Sequence, residues 1–93
     1  MAHIDIRRNH RLSHGQAREA AEEIARQLNE EFSLLYEWDG NTLYFERSGI
    51  NGQLEIEEDQ VVVTARLGLL LTPLRGHFEN EIQRYLDELF GHA

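Results

Sequence analysis

The chain contains no cysteine. It therefore has no disulfide framework and no thiolate zinc site. That absence suits a reducing compartment, and a cytoplasmic protein is expected. Lysine is missing too. Every fixed side-chain cation is an arginine, whose planar fork suits bidentate contact with carboxylate or phosphate. Apolar runs are short, and none approaches the ~20 residues needed to span a bilayer. The opening MAHIDIRRNH lacks the apolar segment of a signal peptide. There is no H-E-x-x-H and no G-x-S-x-G. The glycines at 15, 40, 49, 52, 68, 76 and 91 fall at expected turns and helix ends, with no phosphate-binding spacing.

What is present fits one small domain spanning residues 1–93. Its formal net charge of −8 argues against nucleic-acid binding, which rests on cations that neutralise phosphates. The charge is uneven: residues 1–18 hold four arginines against Asp5, and the rest holds 16 acids against five arginines. The basic start is expected to pair with the acidic remainder.

Ile4 and Ile6 alternate with polar residues and predict a short strand. Ser13 and Gln16 form the spacing of a capping box, with Leu12 placed to staple onto Ala17. The helix they open buries Ala17, Ala20, Ala21, Ile24, Ala25 and Leu28 and ends near residues 29–31. Its many alanines predict close packing on a sheet. Arg18–Glu22, Glu22–Arg26 and Arg26–Glu30 are i,i+4 pairs expected on the solvent side.

Four strands follow, with apolar faces Phe32/Leu34/Tyr36/Trp38, Leu43/Phe45, Leu54/Ile56 and Val61/Val63/Ala65/Leu67. A loop Asp39-Gly40-Asn41-Thr42 pairs Trp38 with Leu43. Asn51-Gly52, the strongest hairpin signal, pairs Gly49 with Leu54 and Arg47 with Ile56. Glu58-Asp59 pairs Ile56 with Val61. All three registers keep one apolar face. The other face carries Ser33, Glu37, Glu46, Glu55, Glu57, Thr64 and Arg66, with Leu35, Tyr44 and Val62 as an apolar patch that could serve a homodimer. The last helix is expected to start at Thr72 as N-cap with Pro73 at N1. Its stripe is Phe78, Ile82, Tyr85, Leu86, Leu89 and Phe90, and Gly91 lies at C′. The predicted fold is α+β, in the order β-α-β-β-β-β-α. Its five-stranded antiparallel sheet, in spatial order 2-3-4-5-1, carries both helices on one face.

Three segments, HIDIRRNHRLSHGQAREAAEEIARQL, GINGQLEIEEDQVVVTARLGLLLTPLRGHFENEI and RYLDELF, together resemble the polyhydroxyalkanoic acid system family. The most particular parts are the I-N-G turn and the L-G-x-L-L-x-P junction. The resemblance implies a small bacterial protein tied to polyester storage-granule gene regions, and it carries no catalytic residues across. The element order is also similar to a reduced helix-grip domain, which holds apolar ligands between its sheet and its last helix.

Leu67, Leu69, Leu70, Leu71 and Leu74 are more leucines than one strand face or helix stripe can hide. They either complete the core or contact an acyl chain, a granule surface or a partner. The expected lining of an apolar slot is Tyr36, Trp38, Phe45, Leu67, Leu69, Leu70 and Phe78. Arg47 would meet a ligand's acid group or pair with a helix glutamate. His3, His10, His14, His77 and His92 are expected to be solvated, with no metal site. Glu55, Glu57, Glu58 and Asp59 read as a solvated edge. The leading reading is a non-catalytic protein without a cofactor that binds an apolar partner, a granule or an acyl-type ligand. The alternatives are a small acyl or hydroxyacyl enzyme, or a homodimeric adaptor.

Overall fold

The computed structural model describes residues 2–91. Its strands are β1 (Ala2–Asn9), β2 (Leu35–Asp39), β3 (Thr42–Arg47), β4 (Ile50–Ile56) and β5 (Gln60–Leu67). Its helices are α1 (His14–Phe32) and α2 (Arg75–Leu89), and a 3-10 helix, Leu69–Leu74, leads into α2. The sheet is antiparallel throughout, in the order β1-β5-β4-β3-β2. This is the α+β architecture expected, with β1 against β5.

The reason lies in where the apolar residues fall. Ile4, Ile6, Leu43, Phe45, Leu54, Ile56, Val61, Val63, Ala65 and Leu67 share one sheet face and are all buried. Both helices bury their stripes in the same cluster. Ser13 closes the capping box on α1, accepting from the Gln16 N–H at 3.1 Å while the Gln16 side chain accepts from the Ser13 N–H. At the other end of α1 Ser33 adopts the left-handed conformation (φ 62°) that stops the helix. Phe32 is thus the last helical residue, not the first of a strand.

Two junctions differ from the sequence expectation. Asn51-Gly52 is not a turn: both residues lie inside β4, opposite Glu46 and Phe45. The β3–β4 turn is Ser48-Gly49, with Gly49 at φ +88°, and Arg47 pairs with Ile50. The expected and observed registers differ by an even number of residues. Every side chain therefore keeps its face, and the alternation could not separate the two. The decision comes from packing. A Cβ at Gly52 would lie 2.5 Å from the Thr64 carbonyl and 2.8 Å from the Phe45 ring. Gly52 is where the Phe45 ring lies against bare backbone. The first hairpin keeps its expected register, Trp38 with Leu43, on a tighter two-residue turn, Gly40-Asn41. The third, Ile56 with Val61, is as expected.

The second difference is the entry to α2. Thr72 does not cap it, and Pro73 sits inside the 3-10 helix. The Thr72 hydroxyl instead donates back to the Gly68 carbonyl at 3.3 Å. This short helix is held from below. The Gly68 N–H donates to the Gly49 carbonyl at 2.8 Å, and Leu71 lies on Gly49 so closely that a Cβ there would meet it at 2.6 Å. The two most particular sequence segments, I-N-G and L-G-x-L-L-x-P, therefore flank one contact between glycine backbones.

Candidate functional site

Five of the eight expected lining residues divide between core and surface. Phe45, Leu67 and Phe78 are core residues, and Phe78 packs edge-on against Phe32 at 4.9 Å. Between sheet and helices the interior gap lined by Ile24, Leu28, Leu43, Phe45, Leu54 and Ile82 is about 10 Å3, room for roughly one water at most. The expected apolar slot is thus filled by side chains. The small residues of α1 let the helix approach the sheet, and Phe45 and Phe78 occupy what remains.

Arg47 corrects another expectation. Among the described residues it pairs with no glutamate. Its Nη1 donates to the Phe32 carbonyl at 3.0 Å, placing a cation on the free carbonyls at the C-terminus of α1.

Tyr36 and Trp38 stand together at the β2 edge around a residue the sequence hid. Glu22 of α1 accepts from the Tyr36 hydroxyl at 2.8 Å and from the Trp38 indole N–H at 2.7 Å. Those two bonds, the indole first, hold the Glu22 carboxyl below the usual carboxylate range, and the Glu22 bond pushes the Tyr36 phenol up. Arg18 lies over the Trp38 ring at 3.9 Å and donates to the Gly40 carbonyl. The expected solvent-side ladder on α1 is therefore replaced. Glu22 turns to the sheet, and Arg26 pairs with Glu23. The available signal was the polar tip on each aromatic: a strand edge bearing an indole N–H and a phenol needs an acceptor nearby.

Histidine gives a further correction. His10 is buried, at 4% exposure. Its Nδ1 accepts from the Leu12 N–H at 3.1 Å, so Nε2 carries the hydrogen and donates to the Glu57 carbonyl at 3.1 Å. The ring also packs on Phe90 at 5.5 Å. It joins the end of β1, the start of α1, the acidic β4–β5 turn and the end of α2. His92 lies outside the described residues. Among those residues no group of three His, Cys, Asp or Glu side chains is placed to hold a metal ion. No helix among them is long and apolar enough to cross a membrane.

The remaining two residues of the expected lining are at the surface. Leu69 is 77% and Leu70 93% exposed. They are consecutive on the 3-10 helix, whose other side is fixed through Leu71 on Gly49. Arg75 ties the same junction to β1, donating to the His3 carbonyl at 3.4 Å. The leucines therefore project from an anchored support.

Fold and surface together define an open-faced α+β protein: two helices on one side of a five-stranded sheet, a filled core, and an anchored leucine tip. The chain belongs to the family described as "Putative polyhydroxyalkanoic acid system protein", whose model matches residues 4–90. Its association is thus with the polyhydroxyalkanoate system. Among solved structures it is similar to the NMR structure of PA4090 from Pseudomonas aeruginosa, with a TM-score of 0.61 at 10% identity over 100% of this chain and 88% of that one. At that identity the likeness concerns the fold. Comparison with curated proteins gives no match.

Proposed function

We propose that the protein is a non-catalytic, cytoplasmic component of the polyhydroxyalkanoate system that attaches to an apolar surface, the polyester granule or a protein on it, through the Leu69-Leu70 tip. The observation that carries this reading is the exposure of both leucines on an anchored support. Burying a leucine side chain is worth about 1.5–3 kcal/mol. Two side by side give a contact of useful strength only if something covers them. Membership of a family associated with the polyhydroxyalkanoate system is what directs the proposal to the polyester.

Several observations support the non-catalytic part. The interior is filled, the Tyr36 hydroxyl is taken up by Glu22, and Arg47 by a helix carbonyl. The test is co-sedimentation with isolated polyester granules. The parent protein is expected in the granule pellet and Leu69→Ser/Leu70→Ser in the supernatant. A parent that stays in solution, or a double variant that pellets equally well, overturns the proposal.

A further inference from the structure

The outer face of the sheet carries no helix. Strand pairing arranges its side chains in level rows. One row reads Leu35, Glu46, Asn51, Arg66 and His3 from β2 to β1. Two rows further along, Asp39 stands at the β2 edge and Arg7 at the β1 edge of another. Between them Tyr44, Gln53 and Thr64 form an uncharged centre. The β2–β4 side of this face is acidic, and the β5–β1 side holds both arginines together with one acid, Asp5.

Glu46 and Arg66 are both exposed, and neither has an ion-pair partner among the described residues. By contrast Arg8, Arg26, Arg75 and Arg84 each meet a carboxylate of their own chain, and Arg7 makes only a long, exposed contact of 3.9 Å with Asp5.

We propose that this face pairs with a second copy of the chain across a two-fold axis running along β4. Such an axis lays β3 over the partner's β5 and β2 over the partner's β1, and keeps each row level. Glu46 then meets the partner's Arg66, and Asp39 meets the partner's Arg7, each contact occurring twice. Tyr44 covers the partner's Thr64 at the uncharged centre. The charge pattern selects this axis. A two-fold across the strands would set β2 on β2 and acid on acid. A closed two-fold contact uses one self-complementary patch, and this patch has that property. Two meetings are unfavourable: Glu55 lies on the axis and faces itself, and Glu37 comes opposite the partner's Asp5. Five strands about 4.8 Å apart give a face on the order of 500 Å2 per copy, below the ~800 Å2 of a standard interface. The dimer is therefore weak and reversible.

Sedimentation equilibrium across a concentration series tests this, with circular dichroism confirming that each variant is folded. The parent mass is expected to rise from 10.9 kDa towards twice that value. Glu46→Arg and Arg66→Glu, each alone, should weaken association by at least about tenfold, and the combined swap should restore it. Glu55→Gln should tighten it several-fold, because the carboxylates facing each other on the axis are gone. Leu69→Ser/Leu70→Ser should leave it unchanged. The proposal is overturned by a parent that stays monomeric. It is equally overturned by a combined swap no better than the single changes, by weakening in Glu55→Gln, or by dimerisation that depends on the leucine tip.

Discussion

Glu22 sits one position beyond the alanine stripe of α1, and that offset decides what it does. From there its carboxylate reaches under the sheet edge to Tyr36 and Trp38. The edge strand β2 is thereby tied to a helix 14 residues earlier in the chain. Because the folded state lowers the Glu22 pKa, this stabilisation is complete above the normal carboxylate range and is lost as pH falls through the depressed value. Glu22→Gln keeps one good acceptor and loses the charge. It is expected to cost about 1 kcal/mol at neutral pH. The difference from the parent in urea denaturation should shrink on acidification below the carboxylate range. An unchanged difference at low pH would remove the charge from the account. At this scale the capping box on α1 was legible because its partners lie three residues apart. The Glu22 clamp and the His10 contacts were not, since their partners come from other elements.

The 3-10 helix and the β3–β4 turn behave as one piece. Gly49 has a positive φ and carries Leu71 directly on its Cα, while its carbonyl receives the Gly68 N–H. Gly49→Ala sets a methyl 2.6 Å from the Leu71 side chain in a conformation alanine disfavours. The expected cost is about 1–3 kcal/mol, and hydrogen exchange should show the faster opening concentrated in residues 68–72. Leu69→Ser/Leu70→Ser, by contrast, should leave stability within about 0.5 kcal/mol of the parent, since those side chains touch little. A thermal melt distinguishes the two cases. Strand alternation showed which residues share a face, but a turn shifted by whole pairs leaves that alternation intact. The fit of the Phe45 ring onto Gly52, and of Leu71 onto Gly49, goes with the observed register.

The molecule as a whole is organised around one filled interior. Ile82 of α2 reaches Ile24 and Leu28 of α1 and the Leu43, Phe45 and Leu54 face of the sheet around the 10 Å3 gap. Ile82→Ala enlarges that gap and is expected to cost about 2–5 kcal/mol in chemical denaturation. The parent should show no rise in melting temperature with medium-chain fatty or hydroxy acids, because the gap between sheet and helices is too small to admit them. A clear rise would place a binding slot where side chains now stand.

Periodicity, capping signals and turn residues by themselves determined the element order, the five-stranded antiparallel sheet, the face each strand buries and the helices that cover it. Those properties follow from side chains a few residues apart along the chain. Tertiary structure alone decided whether the slot exists, where the β3–β4 turn falls, and which leucines remain outside. Each of these depends on the volume available between distant segments. The Phe45 ring seated on Gly52, and Leu71 on Gly49, set that volume. The alternation of apolar and polar residues carries no measure of it.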